Sequence, residues 1–176
     1  VPDAALDEKL AEILYQNGQE NSIIAQSEQE RRDLWTLREN ISASQRKLGT
    51  SIKHDIAVPI AQVAAFVRQC APALETRFPG IQIVCFGHLG DGSLHYNTFL
   101  PDVLSNDVYR YEDAVNSIVY EHILTCHGTI AAEHGIGTIK KHWLPSVRTS
   151  SEIALMRAIK AQLDPHGIMN PGKLLP

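Results

Sequence analysis

The sequence predicts an α+β fold, an antiparallel sheet covered by helices. Three observations predict it. Two β-compatible runs, "IQIVCFGH" and "SLHYNTFL", are joined through Asp91-Gly92, a strong hairpin signal that argues against a purely parallel sheet. Stretches of helical periodicity stand on both sides of that hairpin. Strands are thus mixed with helices, and helices covering one sheet face would leave the opposite face free to carry polar, useful residues.

The elements follow in order. "LDEKLAEILYQ" places Leu6, Leu10, Ile13 and Leu14 on one helical face, and "SIIAQ" is a short candidate strand after the Asn17-Gly18 break. "EQERRDLWTLREN" returns to helical spacing through Leu34, Leu37 and Ile41. "KHDIAVP" reads as extended, because Val58 precedes a proline and is pushed out of the α region. Pro59 then opens a helix carrying Ile60, Val63, Ala64, Val67, Cys70 and Leu74, with Pro72 expected to kink or end it. From Asp107 to His127 a long helix carries Val108, Tyr111, Val115, Ile118, Val119 and Ile123 on one stripe. The last helix starts at a capping box, Thr149 with Glu152, shows Ile153, Met156, Ile159 and Leu163 as its apolar face, and stops at "DPHG".

With 176 residues the chain can bury roughly two thirds of its unfolded surface, enough for a real core. A formal charge of -4 and 44% hydrophobic residues exclude a disordered chain and give no reason to expect nucleic acid as a partner. No apolar run approaches the roughly 18 to 20 residues that span a bilayer, and "VPDAALDEKL" shows no signal-peptide pattern, so a cytoplasmic location is the default expectation. Cys70, Cys85 and Cys126 are widely separated and read as free thiols in a reducing compartment.

The chemistry concentrates in "FGHLGDGSLHYN" and "AAEHGIG". If Asp91-Gly92 closes a two-residue turn, His88 faces His95 directly, and Asn97 shares a face with His95. Two imidazoles and a third ligand with one open position suit a catalytic zinc. Glu133 is the candidate third ligand, because Gly135 and Gly137 let its loop approach closely, and His134 would then point elsewhere as a free base near neutral pH. The same residues also fit plainer roles: hydrogen-bonded or surface histidines, Asp91 as a turn residue, Asn97 satisfying backbone groups, and His127 at a helix end.

Five strings, "LWTLRENI", "KHDIAVP", "GHLGDGSLHYN", "AAEHGIGTIKKHWL" and "LDPHGIMNPGKLLP", occur in an order that resembles the C-terminal, substrate-side domain of FAD-linked 2-hydroxy acid dehydrogenases and oxidases. That group includes D-2-hydroxyglutarate dehydrogenase, D-lactate dehydrogenase and the glycolate oxidase flavin subunit. The resemblance implies a ferredoxin-like cap domain with a C-terminal helical extension. It implies that residues 1–176 form a substrate- and metal-binding domain cut from a longer polypeptide, with an α/β core portion at 1–104 and a helical portion carrying the metal and base loop at 105–176.

By the same resemblance, His88, His95 and Glu133 hold a divalent metal, commonly Zn2+, and His134 is the base beside it. Arg38, Ser42, Lys53 and Asn97 bind the acid, and Asn170 of "NPGK" lies near the flavin. Arg38 and Lys53 supply the planar fork and the compact charge that a carboxylate needs, although either also fits an ordinary surface cation. Ser42 stands where some members have threonine, which keeps the hydroxyl and loses a methyl group. The implied reaction oxidises a D-2-hydroxy acid to a 2-oxo acid by hydride transfer to FAD, with a dicarboxylate such as D-2-hydroxyglutarate favoured by the two cations.

The FAD would be held mainly by an N-terminal domain of the same polypeptide that this chain lacks, so the isolated chain is expected to be inactive; the complete enzyme would also need an electron acceptor. An exposed sheet edge would make a homodimer a way to compensate for a missing strand. A non-enzymatic metal-binding or assembly module and a metal-dependent hydrolase are the alternative readings of the same histidines. The absence of a nucleophile elbow or a His-Glu-x-x-His string disfavours the hydrolase.

Overall fold

The computed structural model describes residues 4–19 and 21–176 and divides into two compact units, 1–44 and 45–176. The first unit is helical. Helix α1 spans Ala4–Gln16, α2 Glu28–Glu39 and the short α3 Ile41–Ser44. Ser27 caps α2 by accepting the N–H of Glu30, whose own carboxylate accepts the N–H of Gln26. These bonds satisfy donors that the first turn leaves orphaned. The expected strand at 22–26 is absent: the segment has no regular structure and Ile23 is exposed. A short apolar run becomes a strand only where a partner supplies its backbone bonds, and these residues have none in a sheet.

The second unit is an antiparallel sheet covered by helices, consistent with a ferredoxin-like cap. Its strands are β1 (Ser51–Ile52), β2 (Asp55–Ala57), β3 (Gln82–His88) and β4 (Ser93–Phe99). Strand β4 is central: β3 lies along one of its edges, and β1 and β2 follow each other along the other. Ile52 pairs with Thr98 and Asp55 with His95, so the register runs unbroken through Lys53 and His54, and Tyr96 donates its N–H to the His54 carbonyl.

Alternation then sorts the side chains. Ile52, Ile56, Leu94 and Tyr96 turn to one face and are buried under α4 (Val63–Arg77) and α5 (Glu112–Thr125). Phe66 of α4 meets the Tyr96 ring edge-on at 5.2 Å, and Tyr120 of α5 meets the ring of His54 at 5.9 Å. Each large apolar side chain so enclosed contributes roughly 1.5 to 3 kcal/mol of transfer free energy. The same core lets α4 run through Pro72 rather than end there. Phe66, Cys70 and Leu74 recur every four residues on its buried face, while Pro72 stands exposed, so the lost backbone bond is on the solvent side.

The long helix expected over 107–127 is a 3-10 turn at Val108–Tyr111 followed by α5, and His127 lies past its end with a left-handed φ of 56°. A short helix α6 (Leu144–Val147) precedes α7 (Ser150–Leu163), which begins at the expected Thr149–Glu152 capping box. Of its apolar stripe only Ile153 is buried; Ile159 and Leu163 are exposed. All three cysteines are free. Among the described residues no helix is long and apolar enough to cross a membrane.

Candidate functional site

The site begins with a correction to the hairpin. His88 pairs with Ser93, not with His95, so four residues rather than two close the turn. Asp91 is the physical reason: its Oδ1 accepts the Ser93 N–H at 2.8 Å, while Gly92 donates its N–H to the His88 carbonyl at 3.0 Å. Gly92 adopts a φ of 75°, and its carbonyl accepts the Val58 N–H, pinning the turn to the chain after β2. His95 therefore faces Phe86, with ring centroids 5.0 Å apart. The period of two nonetheless keeps His88, His95, Asn97 and Asp55 on the same open face of the sheet, with His88 and His95 as diagonal neighbours.

The loop after α5 delivers the remaining groups. Ala57 and Thr129 exchange backbone N–H bonds at 3.1 and 2.7 Å, which lays residues 129–134 along the free edge of β2. Gly128 makes the approach possible, since a Cβ there would stand 2.5 Å from the Ala57 carbonyl oxygen. Glu133 then reaches His88, its Oε1 3.7 Å from Nδ1. The ring of His134 stands 6.3 Å from that of His95, centroid to centroid, and its Nδ1 lies 3.5 Å from Asp55 Oδ2. His88, Glu133 and His134 are all substantially exposed, whereas the Asp55 side chain is only 5% exposed.

Four of the residues expected at a metal and proton-transfer site, His88, His95, Glu133 and His134, are thus gathered in one neighbourhood. Their contacts run in two pairs, Glu133 with His88 and His134 with His95, rather than to a single point. Among the described residues, the three side chains whose donor atoms all lie within 4.8 Å of one another are Asp55, Glu133 and His134. Imidazoles and carboxylates are the donor set that a borderline cation such as zinc takes, so the residues fit a divalent metal in kind.

Asp55 was not singled out from the sequence, although it stands inside "KHDIAVP". Its place opposite His95 is an inter-strand register that no local pattern in the sequence displays. Burial acts to raise its pKa, but the backbone N–H groups of His134 and Glu133, with the charges of His134 and Lys140, outweigh it and hold the carboxylate below its ordinary value. Lys140 donates from Nζ to the carbonyls of Asp55 and Ile130; its burial lowers its pKa, with Asp55 opposing.

Lys53 is exposed and takes the position across from Asn97 on the same face. Asn97 is buried and donates from Nδ2 to Gln45 Oε1 at 2.9 Å. Arg38, half-buried in the last turn of α2, and Ser42 in α3 belong to the first unit. Asn170 has a left-handed φ of 47° and accepts the Lys173 N–H through its carbonyl.

Comparison with known proteins agrees with this picture. The chain is 41% identical over 155 residues to a D-2-hydroxyglutarate dehydrogenase of Stutzerimonas stutzeri (strain A1501), covering 88% of this chain and 33% of the relative. It is 37% identical over 145 residues to the mitochondrial D-2-hydroxyglutarate dehydrogenase of Danio rerio, covering 81% and 26%. It is 33% identical over 157 residues to that of Arabidopsis thaliana, also named as mitochondrial, covering 89% and 27%. The chain therefore spans a quarter to a third of the length of these relatives. The expectation of a cytoplasmic location is corrected by the same comparison, because relatives from fish and plant are named as mitochondrial. With residues 2–174 matching the family described as FAD linked oxidases, C-terminal domain, this chain belongs to that family.

Proposed function

We propose that this chain is the substrate- and metal-binding part of a flavin-dependent dehydrogenase that oxidises a D-2-hydroxy acid to the 2-oxo acid. The observation that carries the reading is the meeting of Glu133 and His134 with His88 and His95 over one open sheet face. Relatives named D-2-hydroxyglutarate dehydrogenase favour a dicarboxylate as the acid.

In this reading His88, His95 and Glu133 hold the cation and His134 takes the hydroxyl proton. A bound divalent metal, Zn2+ by its donor set, would polarise the substrate hydroxyl, and FAD held by another part of the polypeptide would accept the hydride from the α-carbon. The Nδ1 of His134 faces Asp55, which leaves Nε2 as the nitrogen that accepts the proton. Lys53 and Asn97, across from each other on the same sheet face, supply a positive charge and an amide to the acid's carboxylate. Arg38 and Ser42 supply further donors, and Asn170 lies toward the flavin.

The test uses the complete protein under anaerobic conditions, with flavin bleaching followed against a panel of D- and L-2-hydroxy acids. Reduction by D-2-hydroxyglutarate well ahead of lactate is expected. An equal response to both removes the dicarboxylate preference, and no bleaching by any member overturns the reading.

A further inference from the structure

We propose that Asp55 is a positioning residue: its buried carboxylate holds the backbone of Glu133 and His134 so that one side chain is presented to the metal and the other to the substrate proton. The inference rests on the proposed reading of this face as a metal-assisted proton-abstraction site and adds a residue to it.

Asp55 Oδ2 accepts the N–H of Glu133 at 3.0 Å and of His134 at 2.9 Å, and Oδ1 lies 3.3 Å from the Glu133 nitrogen. Two successive backbone N–H groups aimed at one anion form a small concavity, and filling it with a fixed carboxylate makes strong, charge-assisted bonds. Asp55 can serve as the fixed point because it is itself clamped. Its backbone pairs with His95 on one side; on the other its carbonyl accepts from Lys140 Nζ at 3.2 Å and lies 3.4 Å from the Ala132 nitrogen. Lys140 closes the bracket by donating to the Ile130 carbonyl at 2.6 Å.

Residues 129–134 thus follow β2 by backbone pairing as far as Ala132, and from there the Asp55 side chain replaces the strand as acceptor. Adjacent residues held by their N–H groups at one point send their side chains apart. That divergence takes Glu133 to His88 and the His134 ring toward His95. The same carboxylate faces His134 Nδ1, which fixes the ring's orientation in the way that outer-sphere carboxylates orient histidines around metals.

The donor atoms of Asp55, Glu133 and His134 lie close enough together for Asp55 to be a ligand itself. Its hydrogen bonds argue otherwise. Oδ2 already takes two N–H donors, so a cation at that oxygen would have to displace both bonds. That leaves Oδ1 alone, on a side chain only 5% exposed, for a ligand role that the Co2+ spectrum tests. Removing a carboxylate that orients ligands costs on the order of 10 to 100-fold in metal affinity or activity.

The test compares Asp55→Ala and Asp55→Asn in the complete protein, reading Zn2+ affinity by competition with a chromophoric chelator, the Co2+ absorption spectrum, and kcat and KM separately. Asp55→Ala is expected to weaken Zn2+ by about 10-fold or more and to lower kcat with KM little changed. Asp55→Asn keeps one oxygen able to accept both N–H groups, so it should stay within about 3-fold of the parent in Zn2+ affinity with an unaltered Co2+ spectrum. Parent-like metal affinity and kcat in a folded Asp55→Ala protein overturn the inference. A loss beyond 10-fold in Asp55→Asn with a changed Co2+ spectrum also overturns it, by making Asp55 a ligand. If Asp55→Ala does not fold, Asp55→Ser, whose shorter side chain cannot reach both N–H groups, is read by the limits set for alanine. A parent protein that takes up no Zn2+ is a different failure, because it removes the metal site as well.

Discussion

His88 Nδ1 stands 3.7 Å from Glu133 Oε1, although the two come from a hairpin strand and a loop far along the chain. Two ligands bound at about 2.0 to 2.2 Å to a tetrahedral zinc lie roughly 3.4 Å from each other. The pair is therefore spaced as if to share an ion, and His95 stands diagonally across on the same face. Elemental analysis of the complete protein is expected to find about one zinc or similar divalent ion, and far less in a His88→Ala/His95→Ala variant. Equal metal content in both would exclude these histidines as ligands.

The His134 ring is 70% exposed and turns Nδ1 toward Asp55, which suits a group that must take a proton and release it to water. A positioned base contributes on the order of 100 to 10,000-fold in rate. His134→Gln in the complete protein should lose activity in that range while keeping its metal. The rate of flavin reduction in single turnover checks it, and an unchanged rate assigns the base elsewhere.

Much of the site was legible because sheet alternation depends on parity alone. The exact register of the hairpin did not matter for placing His88, His95 and Asn97 on one face; moving the closure from a two-residue to a four-residue turn shifted the pairing by two and preserved the face. The turn itself was misread because Asp91-Gly92 favours the short loop locally. The longer one is closed by the Asp91 side chain on the Ser93 N–H and anchored by the Val58 bond to Gly92, a tertiary contact. Asp55 escaped for the same reason: nothing within "KHDIAVP" says that residues 129–134 will come to lie beside it. The strand expected at 22–26 failed because apolar content without a sheet neighbour leaves backbone groups unpaired, whereas Thr149 and Glu152 were readable as a cap since both partners are local.

Gly92 offers a test of how the hairpin is anchored. Its φ of 75° is costly for any residue with a Cβ, and an added Cβ would overlap the Val58 carbonyl oxygen. Gly92→Ala is expected to destabilise the domain by about 2 kcal/mol or more, from the left-handed backbone and the forced displacement together. Gly90 has open space and no left-handed φ, so Gly90→Ala should change stability by roughly 0.5 kcal/mol or less. Denaturant midpoints of the two variants compare the positions directly, and equal shifts would contradict the close contact at Gly92.

His54 sets an acid limit on the fold. Burial lowers its pKa to about 4, against the opposing bonds to the Tyr96 carbonyl and the Asn116 side chain. In the unfolded chain the imidazole returns to about 6.5. Between those values the unfolded state binds a proton that the folded state refuses, so stability rises with pH through this window and falls as the solution is acidified. The full contribution is present above about pH 6.5, and about 3 kcal/mol is lost by about pH 4. His54→Gln keeps an amide donor for the Tyr96 carbonyl but does not titrate. It should therefore be less stable than the parent at pH 7, where it has lost the ring contacts with Tyr96 and Tyr120, and lose less on acidification. Carboxylates such as Asp55 titrate in both proteins and cancel in the difference. Unfolding free energies of parent and variant at several values between pH 7 and pH 4 check the prediction, and parallel curves would mean that His54 takes up its proton without unfolding.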